Sequence, residues 1–231
     1  MRYTTILLDA DGTLLDFERS EAEAVKEAMK DNGITPTEAL VRRYSEINDG
    51  LWKKLERGEI QKEVLLYRRF ELFAEEFGFV LDAKKMAKDY MYCLSTKGYT
   101  LPGAKEFLGR LQGKAAMYIV TNGVEFIQTE RYARSGLQGL TERTFISGTL
   151  GYEKPDVRYF EAVAKEIPNF DPTKTLIVGD SLTSDMRGGI NFGIDTCWYN
   201  PKGKQAPEDI HLTFVASNYD EIYNFITLKK D

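Results

Sequence analysis

The sequence predicts an α/β protein, a parallel sheet flanked by helices, with an all-helical segment inserted after the first strand. Three observations carry that prediction. Thr4-Thr5-Ile6-Leu7-Leu8 is a short, partly β-branched apolar run ended by Asp9, a pattern that suits a buried parallel strand better than a longer periodic helix. From Ser20 to about Lys97 the chain reads as successive amphipathic helices with almost no strand signal. From Tyr99 onward short apolar runs alternate with helical stretches, the arrangement of a parallel sheet with right-handed crossovers.

Taken in order, Ser20 followed by Glu23 forms a capping box that opens a helix towards Lys30, and Asn32-Gly33 stops it. Thr35-Pro36-Thr37-Glu38 opens a second helix that runs to about Arg57, before Gly58. A third spans about Lys62 to Phe77, with Leu65, Leu66, Phe70, Phe73 and Phe77 at helical spacing and Gly78 as its stop. A fourth spans about Ala83 to Ser95. These four make residues 17–97 an inserted helical unit, leaving 1–16 and 98–231 for the sheet-bearing core. In that core a helix ends at Leu111, a strand covers Ala115 to Val120, and a helix runs from Glu125 to Arg134. A short strand at Thr144–Ser147, a helix from Asp156 to Glu166 and a strand at Thr175–Val178 come next. A helix from about Ser184 to Phe192, strands at Thr196–Tyr199 and Thr213–Ala216, and a helix from Tyr219 to Ile226 complete the chain.

With 231 residues and 42% hydrophobic content, the chain is long and apolar enough for a packed core carrying an insertion. A formal charge of −5 argues against a nucleic-acid-coating surface. Cys93 and Cys197 lie far apart and lack a metal-ligand spacing, so reduced thiols are expected. No apolar run approaches the ~18–20 residues of a membrane span, and no secretory leader is evident. The expectation is a soluble cytoplasmic protein, monomer or homodimer, without nucleic-acid or membrane partners.

Chemistry concentrates at predicted strand ends, where ligands bind in open α/β sheets. Asp9 and Asp11 follow the first strand and share a face while the chain stays extended. Gly12 lets the chain turn, and the Thr13 hydroxyl can satisfy loose backbone groups. Alone, Asp9-x-Asp11 serves equally well as turn chemistry. Thr121 and Asn122 end a second strand, Asp180 and nearby Asp185 a third, and Lys154 precedes a crossover helix. Each has a plain structural alternative: Thr121 as a helix cap, Lys154 as a solvated charge, Asp185 as a helix N-terminal acid. Together they form a carboxylate cluster that one lysine cannot neutralise, which suits a hard divalent ion such as Mg²⁺. Thr121, with the N–H groups of Asn122-Gly123 near a helix start, suits a phosphate oxygen, and Lys154 balances phosphoryl charge. The set fits phosphoryl transfer in which Asp9 attacks phosphorus and Asp11 protonates the leaving alcohol.

Asp9-x-Asp11-x-Thr13, Thr121, Lys154-Pro155 and Gly179-Asp180 with Asp185 resemble the four motifs of the haloacid dehalogenase (HAD) superfamily of phosphohydrolases. The resemblance covers essentially the whole chain. It implies a Rossmann-like three-layer core with a helical cap, Mg²⁺ dependence and a phosphoaspartate on Asp9. Carried over residue by residue, it makes Asp11 acid and then base, and gives Thr121 and Lys154 the phosphoryl group. It assigns the metal to Asp9, Asp180, Asp185 and the backbone carbonyl of Asp11.

Sister activities separate on single residues. The dehalogenases of the superfamily place an aromatic where this chain has Asp11. A mutase reading looks for a cap acid/base, often His, and the only histidine is His211, far outside the cap. A phosphonatase uses a cap lysine, and nothing marks Lys53, Lys54 or Lys62 as buried. A finer similarity lies in Thr13 to Phe17, in Leu51-Trp52 with Glu56, Gly58 and Ile60, in Arg69-Phe70, and in Gly188-Gly189 through Cys197–Pro201. These stretches look like the pyrimidine 5′-nucleotidases that act on uracil and thymine nucleoside monophosphates, modified ones included. Gly12 departs from the second Asp that many of them carry. The expected substrate is a small phosphomonoester, a nucleoside monophosphate first and a sugar phosphate or other small metabolite as the alternative. Trp52, Tyr67 and Phe70, with Asn48 and Arg69, are candidates for holding a base, although aromatics at helical spacing read first as core. Trp198 and Cys197 read as packing residues. Receiver-type signalling modules place similar groups on a sheet but lack the helical insertion and the second Asp.

Overall fold

Six parallel strands organise the fold in a computed structural model that describes residues 1–228; positions 229–231 of the expected core segment lie outside the described residues. The strands are β1 (Thr5–Leu8), β2 (Ala116–Thr121), β3 (Arg143–Ile146), β4 (Thr175–Gly179), β5 (Asp195–Tyr199) and β6 (Phe214–Ala216). Their spatial order is β3-β2-β1-β4-β5-β6, so the chain fills one side of β1 and then reverses to the other. That reversal opens a crevice at the carboxyl ends of β1, β2 and β4, where α/β sheets bind ligands. Leu8 is level with Ile119 on β2 and Val178 on β4, so Asp9, Thr121 and Asp180 emerge along one edge.

The α/β class expected from the sequence is thus the observed one, and its cause is visible in the side-chain alternation. Ile6 and Leu8 of β1 point to one face, where α5 (Ala104–Leu111) brings Phe107 and Leu108, and α10 (Tyr219–Thr227) brings Ile222 and Ile226. Leu7 points to the other face, against Tyr159, Phe160 and Val163 of α8 (Val157–Glu166). Strands buried on both faces read as continuous apolar runs for this reason.

Between β1 and β2 lie α1 (Phe17–Asp31), α2 (Glu38–Glu56), α3 (Lys62–Phe77) and α4 (Ala83–Ser95). They enclose an apolar cluster of their own, joined from outside by Ile127 of α6 (Glu125–Ser135). At its centre the Tyr44 ring stacks on Phe70 with centroids 5.0 Å apart and meets Tyr90 at 5.4 Å. Aromatic pairs of this kind contribute about 0.5–1.5 kcal/mol beyond the area they bury. Thr37 caps α2, and Gly78 ends α3 with a φ of 69°, as their residue types require.

Three local expectations are corrected. The first helix starts earlier than the Ser20–Glu23 box suggests, because Asp16 is the cap and accepts from the Arg19 N–H. Ser20 lies inside the helix and donates its hydroxyl to the Asp16 carbonyl at 2.6 Å. The Thr13 hydroxyl does not satisfy the turn; it is buried without a hydrogen-bond partner among the described residues, while the Thr13 carbonyl accepts from Tyr219. The helix expected from Ser184 begins as a wide π-type turn, Leu182–Met186, before α9 (Arg187–Phe192). In that turn the Asp185 side chain folds back into the protein and accepts from the Ser181 N–H at 3.2 Å.

Candidate active site

The seven residues singled out in the sequence all line one cleft of about 520 Å³ between the sheet edge and α1–α2. At its floor the buried ammonium of Lys154 donates to Asp9 Oδ1 at 2.6 Å, to Asp185 Oδ1 at 2.6 Å and to the Val120 carbonyl at 2.8 Å. All three ammonium hydrogens are therefore engaged. Burial works against the charged lysine, but the Asp185 and Asp9 carboxylates outweigh it and hold its pKa above the usual range. The same crowding pushes Asp9 well up, chiefly through burial and then through the Asp185 charge. Asp180 opens to the cleft but sits deep among protein atoms. Desolvation, followed by the Asp185 charge, pushes its carboxyl up to about 7.

Asp9, Asp180 and Asp185 each bring a carboxylate oxygen within 4.8 Å of the others. Three carboxylates against one lysine make a negative, all-oxygen donor set, which fits a hard divalent cation. Two glycines permit this crowding. Gly12, at a φ of +77°, has the Asp180 carboxylate where a Cβ would stand, and Gly179 has the Asp185 carboxylate there.

Asn122 and Thr121 are differently engaged. The Asn122 side chain brackets the Lys154 peptide, donating to its carbonyl and accepting from its N–H, both at 2.8 Å. It sets the loop that delivers Lys154 and leaves only its backbone N–H for a ligand. Thr121 Oγ1 accepts from the Gly123 N–H at 3.1 Å and from Gln128 Nε2 at 2.9 Å. With its lone pairs engaged, the hydroxyl hydrogen is left to donate.

Asp11 is held by residues the sequence reading missed. Arg131 Nη1 donates to its Oδ1, and Gln128 Nε2 donates to its Oδ2 at 2.7 Å. Both come from α6, whose buried face carries Ile127, Gln128, Arg131 and Ser135. Polar residues on a helix read as its solvent face, which hid them. The one available signal was their i, i+3 spacing just after Thr121.

The wall from α1 and α2 is also polar. Buried Glu21 accepts from Ser45 Oγ at 2.5 Å and from Asn48 Nδ2 at 2.7 Å, and Asn48 Oδ1 accepts from Arg69 Nη1 at 2.9 Å. Burial raises the Glu21 pKa, against the opposing effect of the Ser45 and Asn48 donors. Of the five base-holding candidates, Asn48 and Trp52 line the cleft. Phe70 is wholly buried in the helical core, Arg69 stacks beneath it over Tyr90, and Tyr67 packs at its margin. Trp198 packs in the sheet and donates its indole N–H to the Asp180 carbonyl at 2.9 Å, while Cys197 is a buried free thiol.

The fold is that of one family. The model of the haloacid dehalogenase-like hydrolases matches residues 3–193, and the chain belongs to that family. Among individual proteins, it is similar to YfnB from Bacillus subtilis, whose magnesium-bound crystal structure superposes with a TM-score of 0.94 at 36% identity, covering 99% of this chain and 100% of that one. It is 38% identical over 223 residues to the pyrimidine 5′-nucleotidase PynA of Streptococcus pneumoniae, spanning 96% of this chain and 94% of PynA. With the pyrimidine 5′-nucleotidase YjjG of Escherichia coli the identity is 31% over 222 residues, 96% of this chain and 97% of YjjG. Among the described residues no helix is long and apolar enough to cross a membrane.

Proposed function

We propose that the protein hydrolyses pyrimidine nucleoside 5′-monophosphates through a phosphoaspartate on Asp9, with Mg²⁺ as cofactor and residues 17–97 acting as a cap over a core of 1–16 and 98–231. The observation that carries this reading is the cleft itself. One end holds Asp9, Lys154 and Thr121 at a sheet edge, and the other offers Trp52, Asn48 and Glu21 from the helices. A volume of about 520 Å³ suits a small organic monophosphate. Similarity to PynA and YjjG supports the pyrimidine nucleotide as that substrate.

In this mechanism Asp9 attacks phosphorus, and the bond from phosphorus to the leaving O5′ breaks as Asp11 delivers its proton to that oxygen. Water then attacks the acyl phosphate, Asp11 takes the water proton, and inorganic phosphate leaves with Asp9 restored. Thr121, through its free hydroxyl hydrogen, and the Asn122 N–H hold phosphoryl oxygens, and Lys154 binds one by exchanging a present contact. Asp9, Asp180, Asp185 and the Asp11 carbonyl would hold Mg²⁺, which when bound would supply positive charge against the phosphoryl oxygens. The Trp52 ring faces the nucleobase, and Asn48 meets its polar edge.

The test compares dUMP, dTMP and UMP with ribose 5-phosphate and glucose 6-phosphate as substrates, in the wild-type protein and in Asp9→Asn. Wild-type turnover is expected to favour the nucleotides, and Asp9→Asn to lose at least ~10³-fold, as when a nucleophile is deleted. Preference for the sugar phosphates would overturn the nucleotide reading. Retained turnover in Asp9→Asn would overturn the nucleophile.

A further inference from the structure

Arg131 is a fully buried arginine whose hydrogen bonds among the described residues bear on the cleft or on its joints. Its Nη1 reaches Asp11 Oδ1. Its Nε donates to the Lys97 carbonyl at 3.1 Å, and its Nη2 donates to Ser20 Oγ at 3.4 Å. The Gln128 carbonyl oxygen accepts from Nη1 at 3.1 Å, and the same side chain donates to Asp11 Oδ2. Lys97 follows α4, and Ser20 lies in the first turn of α1. These are the two places where the helical segment leaves and enters the core. One rigid guanidinium thus ties the Asp11 carboxylate to both joints, and among the described residues no other cation is within ion-pair distance of Asp11.

We propose that Arg131 is a positioning residue for Asp11: with Gln128 it fixes the rotamer from which that carboxyl delivers its proton, and it takes its own orientation from the two cap joints. The inference rests on Asp11 being the acid and base of the proposed reaction. Its physical basis is the planar fork of the guanidinium, which sets direction as well as distance. An Asp side chain has only two torsions, so one donor on each oxygen leaves it a single orientation. Without Arg131 only the Gln128 donor on Oδ2 remains, and the carboxylate, whose side chain is about a quarter exposed (28%), gains freedom to rotate towards solvent. A purely structural strap would instead matter equally for every substrate.

Leaving-group chemistry separates the two. The O5′ alkoxide of dUMP needs a proton as it departs, whereas 4-nitrophenolate does not, and kcat/KM reports the steps through departure of the leaving group. In Arg131→Met, kcat/KM for dUMP is expected to fall on the order of 10²-fold while that for 4-nitrophenyl phosphate changes less than about threefold, because only the acid's contribution is lost. Arg131→Lys keeps the buried charge without the fork. It is expected to show the same selectivity at smaller amplitude, which keeps the test available if the methionine variant folds poorly. A parallel fall for both substrates, or no fall for either, would overturn the positioning role. Asp11→Asn is the control: it should reproduce the selective loss. If Asp11→Asn itself is unselective, the acid assignment fails. If Asp11→Asn is selective and the Arg131 variants are not, the positioning inference alone fails.

Discussion

Replacing Lys154 with Met tests whether the floor of the cleft is a charge-balanced unit that a metal can complete. Met matches the length of Lys, so the substitution removes the ammonium with little change of volume. It leaves the buried carboxylates of Asp9 and Asp185 without the cation that both now contact at 2.6 Å. Removing one partner of a buried ion pair costs about 3–5 kcal/mol, because the remaining charge is stranded. For a chain of this size each kcal/mol lowers the thermal midpoint by about 2–4 °C, so a fall of roughly 6–20 °C is expected in EDTA. Millimolar Mg²⁺ should return part of it, since a ligand at 100 times its Kd adds about 2.7 kcal/mol to the folded state. Calorimetric scans of wild type and Lys154→Met, each with EDTA and with Mg²⁺, read all four values. If Lys154→Met in EDTA melts within about 2 °C of wild type, the carboxylates are not relying on Lys154 and the charge argument is refuted.

Three further outcomes follow from the same cluster. Gly12→Ala places a Cβ against the Asp180 carboxylate at a φ of +77°, so phosphatase activity and Mg²⁺ affinity should both drop, with about 1 kcal/mol or more of lost stability by denaturant titration. Burial and mutual repulsion raise the folded pKa of Asp9, and that of Asp180 to about 7. The unfolded carboxyl value is near 4, so the stabilising contribution of Asp180 is complete below about 4 and is lost as pH rises through about 7, and Asp9, raised in the same sense, also loses its contribution as pH rises. The midpoint of the metal-free protein should therefore rise from pH 8 to pH 6. Mg²⁺ must displace the proton, so its affinity by isothermal titration should weaken on the order of tenfold per pH unit below about 7.

The strand ends were legible because chain order alone determines them. A short apolar run stopped by Asp, Thr or Gly-Asp marks a parallel strand, and parallel strands deliver their polar ends to one edge. Asp9, Thr121 and Asp180 needed nothing more. Lys154 and Asp185 were legible by spacing, although not their contact with each other, which depends on the wide turn at Leu182–Met186 folding Asp185 inward. The Ser20–Glu23 box misled because a serine in the first turn has two uses. Here its hydroxyl bonds the Asp16 carbonyl and faces Arg131, and Asp16 supplies the cap.

What stayed hidden is the set of residues that act across the cleft between separately coded segments. Gln128 and Arg131 look like the wet side of an amphipathic helix, and only the packing of α6 beneath the ends of α1 and α4 turns them inward. Glu21 reads equally as a solvated charge of α1 until α2 lays Ser45 and Asn48 against it. The same holds for Lys62 of α3, which reaches Ser147 and Glu153 of the core at 2.7 and 3.1 Å. Partners 24 to 120 positions apart leave no periodic trace, because periodicity records which face of an element is dry and not what that face meets. A polar residue on the buried face of a helix that follows a catalytic strand is therefore the place where sequence reasoning is weakest. In this chain it is also where Asp11 is held, between Gln128 and Arg131.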